Sequence, residues 1–349
     1  MNKQPLEVQT LYAELIERLM SLETQRTIGR AKGTFVTKIV KGETYYYFQH
    51  SVPGGTKRQV YLGKKDAALD AVVERFQSER VDIAEDRTSI ERLCSLLRVG
   101  GAQVTDAATA RVLEALSDAG VFGLGGVLVG THAFAVLGNL LGVTWDGAGL
   151  KTQDIDIAAE PTVGIAVPDM QTDVPGVLDS LGMGFLPVPA LDRKHSSTSF
   201  KVRGQGLRVD LLTPGHGNQS QPVKIPRLQA TAKPLRFLGY ILEESVRAAV
   251  IDGGGVLVSV PDPARFAFHK LIVSGARPVA MHAKRDKDLL QATQVFSILA
   301  EERPGDLARA WEAIAGCGAG WVRRTTQGME AMARIDGDVA KRVSIALGL

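Results

Sequence analysis

The sequence predicts a mixed α+β protein: an N-terminal helix–β-hairpin–helix module, a central α+β core and a C-terminal helical domain. Three observations carry this. Residues 33–66 read as short strands between two segments of helical periodicity. The centre holds short apolar strands that carry carboxylates, among them Thr152-Gln153-Asp154-Ile155-Asp156-Ile157 and Leu207-Arg208-Val209-Asp210-Leu211-Leu212. From Pro263 onward the pattern is helical to the end. At roughly 150 residues per domain, 349 residues allow two or three domains. The pattern changes place the boundaries at 1–98, 99–260 and 261–349.

Composition sets the class. With 45% hydrophobic and 23% charged residues, the chain has ample apolar material for a buried core, which excludes wholesale disorder. The charge-free stretch 119–145 is broken by Thr131, His132, Asn139 and Thr144 and by repeated glycines, so no membrane span is expected. The first twenty residues mix acids and bases through their apolar positions, unlike a secretory signal, and the expected location is cytoplasmic. Cys94 and Cys317 lie far apart without metal-ligand spacing, so neither a disulfide framework nor a zinc site is indicated. The net charge of +3 hides an asymmetry. Residues 1–98 carry 16 Lys/Arg against 13 Asp/Glu, residues 99–222 carry 7 against 12, and residues 223–349 carry 18 against 13. An acidic centre between basic flanks suits a metal site that must also hold a polyanion.

In chain order, Leu6, Leu11, Leu15, Leu19 and Leu22 recur at helical spacing and predict a first helix over residues 5–24. Breaks at Lys41-Gly42 and Pro53-Gly54-Gly55 divide residues 33–66 into a three-stranded meander. Its cluster Tyr45, Tyr46, Tyr47, Phe48, Lys57, Arg58 and Tyr61 fits two readings: the core of a small sheet, or a stacking and phosphate surface for nucleic acid. Residues 66–98 read as a longer, charge-laced helix. The apolar run 121–129 ends at Gly130-Thr131, and residues His132 to Leu141 are helical again. A turn at Asp146-Gly147 precedes the first carboxylate strand. Residues 199–215 read as a hairpin, as do residues 247–260 with their turn at Gly253–Gly255. Arg303-Pro304-Gly305 and Gly316–Gly320 interrupt the C-terminal helices.

The carboxylates carry the chemistry. Alternate side chains of a strand point to opposite faces, so Asp154 and Asp156 project together while Ile155 and Ile157 enter the core. Two carboxylates on one face repel unless a cation sits between them. Asp210 is a further carboxylate within an otherwise apolar strand. Three carboxylates on neighbouring strands make a hard-oxygen site suited to magnesium, and two such ions can hold a triphosphate. For a lone Asp-x-Asp the rival reading is an edge strand facing solvent; the upstream glycine turn and the downstream Asp210 argue against it. That upstream element, Gly126 to His132, is a strand turning through glycine into a helix, a natural phosphate seat. The chain has no GxxxxGK[ST], and Leu128 stands where a dinucleotide fingerprint beginning at Gly123 needs glycine.

Gly130-Thr131, then Asp154-x-Asp156, then Asp210 on a later strand resembles the DNA polymerase beta-type nucleotidyltransferase superfamily. LVGTHAF, TQDIDIA, RVDLLTP and PARFAFHKLIVSGAR resemble more closely an uncharacterised bacterial branch of nucleotidyltransferase-fold proteins. In that branch an aromatic hairpin ending in YLGK precedes the catalytic domain, as Tyr61-Leu62-Gly63-Lys64 does here. The resemblance covers about residues 35 to 300. It departs at Thr131, where serine is usual, and in the 24 residues from Gly130 to Asp154, which make 142–151 an extra loop. The resemblance implies a polymerase beta-like nucleotidyltransferase core in which Asp154 and Asp156 bind two Mg2+ ions and Asp210 completes the catalytic one. Asp210 would also help deprotonate the attacking hydroxyl.

Basic residues follow. Lys284 to Gln291 resembles the Lys/Arg-Asp helix of abortive-infection and toxin-type nucleotidyltransferases, whose cations hold the triphosphate. Lys270 and Lys287 are the expected nucleotide-binding cations here; a solvated charge run is the rival reading for Lys284 to Lys287. Arg193-Lys194-His195-Ser196-Ser197-Thr198 reads equally as an acceptor contact or a polar loop tip. His132 reads as structural, and Trp145, Trp311 and Trp321 as core. The expected activity is Mg2+-dependent transfer of NMP from an NTP to an acceptor hydroxyl with release of pyrophosphate, an RNA or tRNA end being favoured as acceptor. Modification of a protein or of a small molecule such as an antibiotic, and a non-catalytic nucleotide- or nucleic-acid-binding module, are the alternatives.

Overall fold

The structure, a computed structural model, describes residues 1–28, 33–40, 42–51, 57–150, 152–161, 171–189, 196–215, 217, 219–277 and 279–349. The two-residue strand β1 (Asn2–Lys3) and helix α1 (Leu6–Ile28) open the chain. A three-stranded antiparallel sheet follows, β2 (Gly33–Val40), β3 (Glu43–Ser51) and β4 (Lys57–Lys64), as the meander pattern predicts. Helix α2 (Ala67–Val99) is capped by the Asp66 carboxylate, which accepts from the Leu69 N–H. The Pro53-Gly54-Gly55 turn lies outside the described residues.

Helices α1 and α2 pack side by side, and their chain ends form a base. Val8, Tyr12, Leu15 and Leu19 of α1 meet Ile90, Leu93, Cys94 and Leu97 of α2 in one small apolar cluster. That cluster closes on the hairpin β13 (Ser245–Val250) and β14 (Val256–Pro261) through Ala249, Ile251 and Leu257. The Tyr12 hydroxyl donates to the Ala249 carbonyl (2.9 Å) and accepts from the Ala249 N–H (3.0 Å), which anchors the base of the arm to the hairpin.

The central sheet has seven strands, five along its main path and two, β8 and β9, off it. After α3 (Ala107–Asp118), β5 (Val127–Val129) leads into α4 (Gly130–Leu140), and β6 (Val143–Thr144) pairs with β1. Strand β7 (Asp154–Ala158) lies between β5, antiparallel, and β10 (Arg208–Pro214), parallel. Helix α5 (Val174–Ser180), β8 (Phe185–Pro187) and β9 (Ser199–Val202) come between them in sequence. One edge of β10 is shared: its first half pairs with β9 as the predicted hairpin, its second half with β12 (Ala230–Leu235). Strand β11 (Val223–Ile225) borders β12, and α6 (Leu238–Leu242) follows.

Helices α7 (Pro263–Ala276), α8 (His282–Glu302), α9 (Pro304–Gly316), α10 (Ala319–Ala333) and α11 (Gly337–Leu347) complete the chain. They break at Arg303-Pro304 and Gly316–Gly318, where the sequence places interruptions. Their apolar faces join those of the sheet in one cluster of buried side chains running from Val112 to Val343. Trp145 stacks on Phe134 with centroids 4.7 Å apart, and Trp311 and Trp321 pack against Phe268 and Phe237, so all three tryptophans serve packing. Among the described residues no helix is long and apolar enough to cross a membrane.

Candidate active site

Strand β7 alternates half-buried Asp154 and Asp156 with buried Ile155 and Ile157, as the sequence requires. It is flanked on both sides, so the edge-strand reading of this pair is excluded. The parallel register sets Asp210 directly beside Asp156 and Arg208 beside Asp154. A one-residue slip would turn these groups to opposite faces, and the buried apolar alternates on both strands fix the register against it.

The glycine turn belongs to the same constellation. Val129 of β5 pairs with Asp156, and the next residue, Gly130, begins α4 with φ +71°. A Cβ at Gly130 would lie 2.4 Å from Asp156 Oδ2. Only glycine tolerates both that backbone conformation and that approach. The start of α4, with its unpaired backbone N–H groups, is thereby held against the carboxylate strand. Thr131 is buried; its Oγ1 accepts a long hydrogen bond (3.4 Å) from Gln291 Nε2 of α8. Gln291 also donates to the Gly149 carbonyl (2.8 Å), so α8 holds both the start of α4 and the segment 142–150.

Electrostatics mark Asp156 as the stressed member. Burial first, then the neighbouring charges of Asp210 and Asp154, push its carboxyl up to about 7, against the opposing pull of Lys270 and Lys284. Crowded carboxylates of this kind are stabilised by a bound cation. Asp210 is already engaged: its Oδ1 accepts from Arg208 Nε (2.7 Å) and Ser199 Oγ (2.5 Å). Among the described residues no three His, Cys, Asp or Glu side chains converge closely enough to enclose one metal ion. The donor chemistry of Asp154 and Asp156, all hard oxygen, still fits magnesium, with Asp210 in the adjoining register position.

Sequence reasoning missed Ser199 and Arg208. Hairpin symmetry about Gly204–Gly206 was the available signal, since it pairs Ser199 with Asp210 and Lys201 with Arg208. Arg193, Lys194 and His195 lie outside the described residues; Ser197 donates to the Val188 and Ser199 carbonyls and serves the loop.

The predicted cations divide. Lys270 is buried and donates to Asp288 Oδ1 (2.9 Å), while Arg277 Nε donates to Asp288 Oδ2 (2.5 Å). Its ammonium is therefore held by a carboxylate, yet its charge reaches Asp156. Lys284, Arg285 and Asp286 are exposed, so the solvated-run reading fits them, whereas Lys287 turns partly inward. Burial and the Lys270 charge lower the Lys287 ammonium, which also feels Asp154.

Two imidazoles flank this cluster in neutral form. Burial holds His132 down to about 4; burial and the Lys270 charge hold His269 down to about 3. Both lie below the unfolded imidazole value of about 6.5, so on acidification protons bind the unfolded chain first. Stability should be complete above pH 7 and fall as pH drops below about 6.5. At pH 5 the loss should be on the order of 1–2 kcal/mol per imidazole. Urea midpoints at pH 7 and pH 5 measure it, and His269→Gln should flatten the slope.

A glycine turn into a helix, beside two carboxylates on one strand and a third on the parallel neighbour, defines the class: an α+β core with its carboxylates gathered at a helix start. A family model described as Nucleotidyltransferase matches residues 107–316, more than half of the chain, so the chain belongs to that nucleotidyltransferase family. It is a nucleotidyltransferase. No curated protein and no solved structure matches the chain.

Proposed function

We propose that the protein transfers NMP from an NTP to an acceptor hydroxyl, with an RNA end, tRNA included, as the favoured acceptor. The hydroxyl oxygen attacks the α-phosphorus, the bond from that phosphorus to the bridging oxygen breaks, and pyrophosphate leaves. Gly130 and Thr131 at the start of α4 seat the phosphates, and Lys270 and Lys287 offset their charge. Asp154, Asp156 and Asp210 are the residues that would hold two Mg2+ ions. Bound there, the ions supply neutralisation of the charge that develops during an in-line displacement. Asp210, fixed by Arg208 and Ser199, is the group placed to take the hydroxyl proton. The protein's share is positioning and electrostatics. The transfer chemistry is assigned to residues 99–260, with 1–98 as a separate module and 261–349 as the helical domain that supplies the cations.

The observation that carries this reading is Gly130 pressed against Asp156, with Asp210 abreast of it in register. Binding alone has no use for a helix start forced onto crowded carboxylates.

Each α-labelled NTP, incubated with the protein, Mg2+ and total RNA or lysate, should give one labelled product class on a gel. The label should disappear with chelator and in Asp154→Asn. A labelled protein or small molecule instead of RNA would move the acceptor to that class. No label from folded protein in any fraction would overturn the transfer reading.

A further inference from the structure

The β2–β4 sheet has two aromatic faces, and among the described residues one of them packs against helix α2. On the inner face Phe35 meets Phe48 (5.3 Å) and Tyr46 (6.5 Å) edge-on. Tyr46 is buried, and its hydroxyl donates to Asp70 Oδ1 of α2 (2.7 Å). This much satisfies the small-sheet reading of the tyrosine cluster. Register places Tyr45, Tyr47 and Tyr61 on the opposite face, with Tyr61 contacting both other rings (6.0 and 5.5 Å). Tyr61 is 57% exposed. Tyr45 and Tyr47 are half-buried beside it and none of the three belongs to the buried core; a contiguous, partly exposed aromatic patch signals a binding surface.

Charge selects the partner. Residues 33–65 hold six Lys/Arg (Lys38, Lys41, Lys57, Arg58, Lys64, Lys65) and a single acid, Glu43. Lys64 on the outer face already neutralises that acid (2.7 Å), so the tip carries a net +5 in 33 residues. The Lys38 ammonium lies over the Tyr47 ring at 4.8 Å, joining cation and π-face in one patch. Stacking rings among cations match a chain of bases joined by phosphates. A folded acidic protein would meet the cations but offer no planar groups for three tyrosines.

Position supports a polymer. Asp70, which touches the sheet, and Ile90, in the base cluster, are 20 residues apart on one helix, or about 30 Å. A patch carried on such an arm suits an extended acceptor rather than a small molecule.

We propose that the outer face of this sheet, centred on Tyr45, Tyr47 and Tyr61 with Lys38 and Lys64, docks single-stranded RNA. The inference rests on the proposed transfer to an RNA end and names the surface that would hold that acceptor.

The test is fluorescence anisotropy of a labelled single-stranded RNA of about 12 nucleotides, with full-length protein and no NTP or metal ion. Wild-type protein should bind, and affinity should fall about 50-fold between 50 and 200 mM salt if about four phosphates are neutralised. Tyr45→Ala, Tyr47→Ala and Tyr61→Ala should each weaken binding about tenfold. The triple Tyr→Phe variant, which keeps the rings, should stay within about twofold of wild type. Duplex RNA of the same length, with its bases paired inward, should bind more weakly. Unchanged affinity in the alanine variants, equal loss in the phenylalanine variant, or no binding at low salt would each overturn the proposal. Binding through the tyrosines with no transfer in the labelled-NTP assay keeps the docking face and rejects the transfer reading. Transfer to RNA that is indifferent to the alanine variants does the reverse.

Discussion

Asp156→Asn is expected to lower nucleotidyl transfer by a factor on the order of 10^3 or more while making the metal-free protein more stable. The two effects share one cause. Asp156 sits abreast of Asp210, shares a strand face with Asp154, and is pushed up to about 7 by burial and those two charges. An unfolded aspartate ionises near 3.9. Between these values folding takes up a proton, so the native state loses stability as pH rises from about 4 to 7, and the full penalty remains above 7. Three pKa units correspond to about 4 kcal/mol; partial exposure of the side chain reduces the expected gain to roughly 1–2 kcal/mol. Asparagine keeps the shape and removes the charge. The variant should therefore melt higher than wild type at pH 8 and level with it near pH 4, in chelator. Millimolar Mg2+ should raise the wild-type midpoint by mass action and leave the variant nearly unmoved. A variant that melts lower than wild type at pH 8, or transfers normally, would remove Asp156 from the centre of the site.

Much of this site was legible because period-2 alternation survives in short strands. Asp154 and Asp156 announce themselves by interrupting Ile155 and Ile157, and Asp210 by interrupting Val209 and Leu211. The adjacency of β7 and β10 follows from no local pattern. Residues 159–207 separate the two strands, and only the sheet shows that Asp156 and Asp210 are neighbours. Strands β11 and β12 left no readable signal, since Pro226 and Pro234 break the segment. The structure shows why Pro234 is tolerated: β11 pairs only with residues 230–232, so the outer side of β12 is open at Pro234. The strand read from Gly126 into the glycine turn is present within the apolar run 121–129. Only Val127–Val129 form a strand, because residues 121–126 close a turn in which the Gly126 N–H donates to the Val121 carbonyl (2.9 Å). The cations were half legible. Lys270 stood out as a cation in the sequence, but its partner Asp288, just after the charged run 284–287, was not singled out, and only the packing of helix α8 turns it inward.

That partnership gives the largest expected stability effect. Asp288 is 4% exposed in its side chain and accepts from Lys270 on one oxygen and Arg277 on the other. The two cations, with the surrounding hydrogen bonds, hold its carboxyl below the usual range despite burial. Removing one partner of a buried pair leaves the other charge without compensation, which typically costs about 3–5 kcal/mol. Asp288→Ala should therefore lower the unfolding free energy from urea titration by that amount, since the Lys270 side chain is itself only 10% exposed. Arg277, 28% exposed, can turn to water and should add little. Replacing the pair together, Lys270→Met with Asp288→Leu, removes both charges, and most of the lost stability should return. That double variant separates structure from chemistry. If Lys270 serves only to hold α7 against α8, the double variant should transfer at the wild-type rate. If its charge also serves the phosphates, as its effect on Asp156 suggests, the fold should be restored while KM for NTP rises and kcat falls. A loss below about 1 kcal/mol for Asp288→Ala would show that this ion triad does not hold the two helices together.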